Sequence, residues 1–491
     1  MRVQVKLQGY APDADPSIVG ILTACNNLVP SVRGMQGAPA PASVNHTAMA
    51  SVCQGAAVVR KPDNAIRLLA GTATQLYEAQ SGNWTVRGRA ATYTLAADSR
   101  WRFTQFGEVT IASNENDTVQ FSSASGSFAD VSAAPKAAIV ETVGNFVFAA
   151  DTLDGTFGDN PDGWWCAGVG SYLSWTPSIT TQAARGNLTS IPGKITALKR
   201  FGPNIIAYKT QGMYVGAYVG PPVIWDFQEV QGNAGALSHE VVVSVGTPEQ
   251  PKHIFMGYDN FYSFDGGRPI PIGNFLRDTV FTSELNRSFQ HLATALHDPL
   301  KQRIYFFYCS GASTQPNACV VYNYRTGFWG RDDRTIEAVI DFVSLSGTTY
   351  DDLGSLYSTY DDLPGSTYDV FVAQASQPVP AIFNTSHAIQ SLTGVSATSS
   401  LTTGDYGDDT QFTLLNRVEP RFITAPANGS MTNSYRNALG DALTTDSLVL
   451  MDANKRFDVL RDAKWHRLQM SFSGDVEFAQ INLHGEVSGS E

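Results

Sequence analysis

Short stretches in which apolar and polar residues alternate, broken by Gly, Ser, Asn and Pro, recur along almost the whole chain. The first is the clearest: Val3, Val5 and Leu7 alternate with Arg2, Gln4 and Lys6. Such a two-residue period predicts a half-buried β-strand. Residues 11–42 (APDADPSIVGILTACNNLVPSVRGMQGAPAPA) hold too much Pro, Gly and Asp for a long regular element. Yet Ile18, Val19, Ile21, Leu22, Leu28 and Val29 are too apolar for a solvated linker. Residues 1–54 are therefore predicted to be a strand followed by an extended arm that lies on another surface, a neighbouring subunit being one candidate.

From about residue 55 to 335 an aromatic-bearing strand, a polar turn with Gly and a following Trp or Phe keep returning. The pattern is seen in LYEAQSGNW (76–84), VQFSSASGSF (119–128), YLSW (172–175), MYVGAYVGPPVIW (213–225), FYSFDGG (261–267) and VVYNYRTGFW (320–329). Anchors at Tyr77, Phe121, Tyr172, Tyr214, Tyr262 and Tyr322 give intervals of 44, 51, 42, 48 and 60 residues. Four-stranded propeller blades run about 40–50 residues each, so the expectation is an all-β chain with a β-propeller of about six blades. The uneven intervals leave a β-sandwich of unrelated hairpins open. In the last repeat, RIYFFYC (303–309) and ACVVYNY (318–324) read as two strands, and Trp329 as a ring that seals the gap between adjacent sheets.

Residues 336–404 read as an irregular, Asp- and Tyr-rich bridge, and residues 405–491 as a smaller, β-sandwich-like platform domain. In the latter, FTLLNRVEPRF (412–422) and WHRLQMSF (465–472) are strands, the second with Leu468, Met470 and Phe472 on one face. The apolar phase slips between Phe478 and Ile481, which predicts a bulge. Arg456, Arg461, Lys464, His466 and Arg467 form the one basic cluster of note, either a solvated face or a dock for an acidic partner.

Composition narrows the function classes. The 491 residues are 43% hydrophobic and 11% aromatic but only 16% charged, with a net charge of −12. That composition favours pleated structure over long helices. The acidic balance argues against a general phosphate-neutralising surface for nucleic acid. Cys25, Cys53, Cys166, Cys309 and Cys319 are odd in number and form no C-x-x-C pair, so buried free thiols are expected. No apolar run reaches the length of a membrane span, and the N-terminus lacks the apolar core of a signal peptide. The expectation is a soluble, reduced, non-exported protein.

Catalytic and cofactor motifs are missing, so neither an enzyme nor a cofactor is predicted. There is no G-x-x-x-x-G-K-[ST], no G-x-S-x-G, and Gly168-Val169-Gly170 lacks the third glycine of a dinucleotide fingerprint. His239-Glu240 lacks the second His of a zinc protease helix, and His253, His291 and His297 stand alone. A propeller glycosidase would need two carboxylates across its funnel, and Asp226, Asp259, Asp265, Asp298 and Asp332 are the candidates at blade turns. Turn chemistry accounts for Asp at such places equally well. Trp164-Trp165, read as part of a loop, would suit sugar stacking if exposed and inter-blade packing if buried. The repeat Tyr350-Asp351-Asp352-Leu353 and Tyr360-Asp361-Asp362-Leu363 lacks the spacing and terminal Glu of a helix–loop–helix calcium site. Adjacent strand residues face opposite ways, so turn-capping scaffold is the preferred reading, with a weak cation site as the alternative.

The order of YAPDADPSIVGILTACNNLVPSVRGMQGAPAP (10–41), CQGAAVVRKPDNAIRLLAGTATQLYE (53–78), Tyr322 to Trp329 and the Tyr-Asp-Asp-Leu repeats resembles the tail hub, or nozzle, proteins of short-tailed bacteriophages. The resemblance runs from about residue 8 to the end. It implies a structural virion protein, made in the host cytoplasm and placed in the tail. Such a protein forms a homohexameric ring below an adaptor ring and contacts distal needle, fibre or spike proteins. DNA passes through the lumen of the ring without specific binding. No site residue is carried over. A carbohydrate- or receptor-binding propeller is the alternative, and a glycosidase a further one.

Overall fold

A computed structural model describes residues 2–123, 126–343 and 378–490. Among them the secondary structure is almost entirely β, with three short helical turns between residues 274 and 292. None of these is long and apolar enough to cross a membrane.

The chain forms a β-propeller arrangement, but not the expected run of about six equal blades. Four blades are self-contained four-stranded antiparallel sheets. The first holds Ala56–Arg60, Ile66–Gly71, Leu76–Gln80 and Asn83–Val86. Two more run from Ala197 to Glu229 and from Val242 to Pro271. The last of the four holds Ala338–Phe342, Val379–Phe383 and Ile389–Gly394, and is completed by Ala40–Ser43 from the far end of the chain. Three further meanders of the same kind, 102–130, 136–187 and 294–331, are hydrogen-bonded into larger sheets. The first strands of all seven units touch in sequence, and the cycle closes where Ala338–Phe342 meets Ala56–Arg60.

The aromatic anchors explain both the success and the miscount of the sequence reading. Tyr77, Phe121, Tyr214, Tyr262 and Tyr322 all lie in the third strand of their units, whereas Tyr172 lies in a loop. The final blade has no aromatic in its third strand, Ile389–Gly394, and borrows its fourth strand, so no local repeat reveals it. Tryptophans in fourth strands pack back onto the preceding unit. Trp329 sits 4.6 Å from both Phe261 and Tyr322, and Trp225 lies 4.9 Å from Phe148. Trp84 reaches Phe383 of the closing blade at 6.1 Å. Large rings are used where two twisted sheets diverge and leave a wedge to fill.

The strands of the N-terminal arm pair within this chain. Arg2–Lys6 pairs with residues 480–484, and Ile21–Asn26 with Ser399–Gly407. Leu28–Pro30 joins Trp329–Arg331, and Met35–Gly37 joins Phe478. The crossing is close, since a Cβ on Gly330 would lie 2.4 Å from the Leu28 carbonyl oxygen. Residues 40–43, 338–342 and 379–394 form one blade that crosses the arm boundary at 54 and the bridge assigned to 336–404, of which 344–377 lie outside the described residues.

The C-terminal module is built from both chain ends as two sheets that meet through Phe422, Phe472 and Phe478, with ring separations of 5.5–6.2 Å. Leu468, Met470 and Phe472 share the buried face of Trp465–Ser473. The expected bulge is present: Arg421 faces Gln480 and Phe422 faces Phe478, skipping Ala479. One continuous apolar core runs from Phe261, Phe306 and Trp329 in the propeller to Leu22, Leu28, Met35 and Phe478 in the module. All five cysteines are free and buried.

Candidate functional site

The first strands of the propeller units converge on an axial cavity of about 210 Å3. The sequence RWRF (100–103) supplies one wall. Its two-residue period turns Trp101 and Phe103 into the apolar packing between units and presents Arg100 and Arg102 on the other face. Trp101 is fixed by donating from its indole nitrogen to the Thr72 carbonyl at 2.9 Å. Lys199 comes from the strand Ala197–Phe201, and His239 and Glu240 from the segment just before Val242–Gly246. Glu337 precedes Ala338–Phe342.

Arg102 grips Glu240 with two bonds, Nε to Oε1 at 2.8 Å and Nη2 to Oε2 at 3.2 Å, and gives Nη1 to the Ala138 carbonyl at 2.8 Å. Burial works to raise the Glu240 carboxyl, but the charge and hydrogen bonds of Arg102 hold it below its ordinary value. Burial pushes the Arg100 guanidinium and the Lys199 ammonium down, against the pull of Glu240 on Arg100 and of Glu141 and Glu240 on Lys199. Burial also drives His239 well below the usual histidine range, and the charges of Lys199 and Arg102 add to the effect. His239 is therefore a neutral imidazole at pH 7. Its Nδ1 accepts from the Leu198 N–H at 3.4 Å, so the proton resides on Nε2. Glu337 accepts from the Cys53 N–H at 3.0 Å and pairs with His387 at 2.6 Å.

This arrangement is made of cations, two held carboxylates and a neutral imidazole, and it suits the holding of a small polar guest. Among the described residues there is no group of three or more His, Cys, Asp or Glu side chains placed to hold a metal ion. The glycosidase candidates are not brought together at the axis. Asp226 is exposed on a fourth strand, Asp265 is exposed at a strand end, and Asp259 accepts from Tyr262 at 2.7 Å. Asp298 and Asp332 are buried; Asp298 accepts from the Lys301 N–H at 3.1 Å, and Arg334 pairs with Asp332 at 2.5 Å. Trp164 and Trp165 are buried strand residues rather than an exposed loop pair.

The basic cluster is dispersed by internal pairing. Arg467 and Arg436 share the buried Asp405, Arg461 pairs with Asp446, and Arg456 lies 3.6 Å from Glu419. Lys464 is buried with its ammonium 5.2 Å above the Phe412 ring. It is not a bare cationic dock. Asp351, Asp352, Asp361 and Asp362 lie outside the described residues. His253 is a core histidine, receiving the Tyr208 hydroxyl at 2.7 Å and donating to the Arg200 carbonyl at 3.0 Å. The axial residues escaped the sequence reading because a charge on a first strand looks like any exposed charge until the first strands are known. The alternation of Arg100 and Arg102 was the available signal.

No protein-family model matches the chain, and no curated protein matches its sequence. Solved structures with similar folds include the computationally designed Ika8 protein, at 10% identity, covering 72% of this chain and 99% of that one, with a TM-score of 0.36. The WD40 domain of Neurospora crassa Pan2 matches at 8% identity over 70% of this chain and 88% of its own, with a TM-score of 0.36. The N-terminal domain of Nup159 matches at 10% identity over 79% and 98%, with a TM-score of 0.35.

Proposed function

We propose that this chain is a structural, non-catalytic subunit of the tail of a short-tailed bacteriophage, forming the hub or nozzle ring around the DNA exit channel. The ring is homohexameric, attaches to the adaptor ring above and carries distal tail parts below. The ordered run of motifs from residue 10 to the Tyr-Asp-Asp-Leu repeats is the observation that supports this reading. A single apolar core linking propeller and C-terminal module suits a load-bearing block, because inter-domain motion is the default only where the interface is small. The propeller axis holds a small lined cavity of about 210 Å3, which supports a conduit formed between copies instead of through one propeller. Six copies at −12 each carry −72, a charge that repels polyanionic DNA where it faces the lumen.

Native mass spectrometry of the full chain, alone and mixed with the candidate adaptor ring, tests the proposal. Six copies bound to the adaptor are expected. A monomer that ignores the adaptor overturns it.

A further inference from the structure

We propose that the axial cavity is a binding site for a small oxyanion of phosphate size, held by Arg100, Lys199 and His239 from three different propeller units. The proposal does not depend on the assembly in which the protein works. Its basis is an imbalance between donors and acceptors. The acidic groups lining the cavity are Glu240, held by two bonds from Arg102, and Glu337, held by the Cys53 N–H and His387. The cations are not consumed in the same way. Among the described residues, no hydrogen bond or ion pair is made by the side chains of Arg100 and Lys199, and the Nε2–H of His239 has no acceptor. Glu141 and Glu240 act on Lys199 through their charge, but neither hydrogen-bonds it, and Glu141 does not line the cavity. Arg100 and Lys199 are half-buried and line the cavity with their donors uncommitted, so a guest anion there gains charge-assisted hydrogen bonds.

Shape agrees with charge. A cavity of about 210 Å3 accommodates one tetrahedral oxyanion and its companion waters, at roughly 30 Å3 per water, and is smaller than the 300 Å3 or more of pockets for larger ligands. Guanidinium, ammonium and imidazole N–H donors are the groups that bind phosphate and carboxylate oxygens. The site also stands against the overall charge of −12, so long-range attraction does not fill it and local geometry must. Because its donors come from the segment before Arg102–Phe106, from Ala197–Phe201 and from the segment before Val242–Gly246, a bound oxyanion ties three units together at the axis.

The test uses the full chain, with thermal unfolding and isothermal titration in phosphate, sulfate, acetate or chloride at matched ionic strength. Phosphate and sulfate stabilise many proteins by exclusion from the surface, so the informative quantity is the difference between the parent and its variants. The parent is expected to bind inorganic phosphate with measurable heat and to gain more stability from it than Arg100→Gln or Lys199→Gln. Each variant should weaken binding at least tenfold yet unfold no earlier than the parent in chloride, because the side chain it replaces makes no hydrogen bond or ion pair. Lys252→Gln, at an exposed position, makes the same charge change and should behave like the parent. A preference for acetate over phosphate would overturn the phosphate-sized assignment. Absence of binding heat, or an identical phosphate response in parent and both axial variants, would overturn the site. If one axial variant does not fold, the other carries the comparison.

Discussion

Leu28→Ala distinguishes an arm that belongs to its own chain from one that docks on a neighbour. Leu28 is fully buried, faces Arg331 in the propeller and Gly37 in the arm, and lies in the core that continues to Met35 and Phe478. Truncating a fully buried leucine costs about 2–5 kcal/mol, from lost burial and from the cavity left behind. A central value of about 3 kcal/mol changes the opening equilibrium of the region more than hundredfold, at about 1.4 kcal/mol per tenfold. Hydrogen exchange followed by mass spectrometry on the isolated monomer should therefore show faster exchange in the strands that the arm joins, 389–394 and 477–484. Peptides from 204–229, remote from the arm, should change much less. Removing residues 1–43 should go further and leave the last blade without its fourth strand, exposing an unpaired edge that invites aggregation. Unchanged protection in 389–394 and 477–484 for Leu28→Ala, or a monomeric 44–491 fragment with native protection, would refute the assignment of the arm to its own chain.

Two other perturbations follow from the packing. Trp329→Ala removes the ring held between Phe261 and Tyr322 and the bond from its indole nitrogen to the Ile272 carbonyl at 3.1 Å, and should cost about 3–5 kcal/mol in chemical denaturation. A loss under about 1 kcal/mol would mean that the ring does not seal the two units. Acidification should destabilise the protein through His253, whose burial holds it from 6.5 down to about 4. Between those values the unfolded chain takes up a proton that the folded chain refuses, so this contribution is complete above pH 6.5 and is lost progressively towards pH 4. It amounts to about 3 kcal/mol at 1.36 kcal/mol per unit of pKa. Denaturation midpoints of the parent and His253→Gln at several pH values should show a shallower slope in the variant across that window, and parallel slopes would refute the account.

Much of the fold was legible because most propeller strands carry their own local signal. Third-strand aromatics marked five units, the alternation of Val3, Val5 and Leu7 gave the first strand, and the lost phase between Phe478 and Ile481 gave the bulge. What could not be read was non-local. The final blade is assembled from 338–342, 379–394 and 40–43, and no window of the sequence contains it. The arm looked like a docking segment because its apolar residues have no partners nearby in sequence; their partners lie several hundred residues away, as with Val5 and Ile481. The partners of the basic cluster are non-local in the same way. Arg461 and Arg467 stand close together in the chain, but their carboxylates, Asp446 and Asp405, come from other strands.

These long-range pairings set the order in which the molecule can be completed. Most propeller units are meanders of neighbouring strands, whose loop-closure cost is small. Closing the cycle is different. Residues 40–43 must find 389–394, while Arg2–Lys6 and Met35–Gly37 must wait for strands that end at residue 490. Pairings of such sequence separation are slow to form, and strand edges stay exposed until they do. Because the same arm supplies both the closing blade and five strands of the C-terminal module's sheets, ring closure and module folding are coupled through one segment. A chain truncated anywhere in 465–484 leaves the arm's sheet partners incomplete, so damage there is felt at the propeller's closing blade. Through that coupling the two layers become rigid together, and a half-finished chain presents neither as a finished surface.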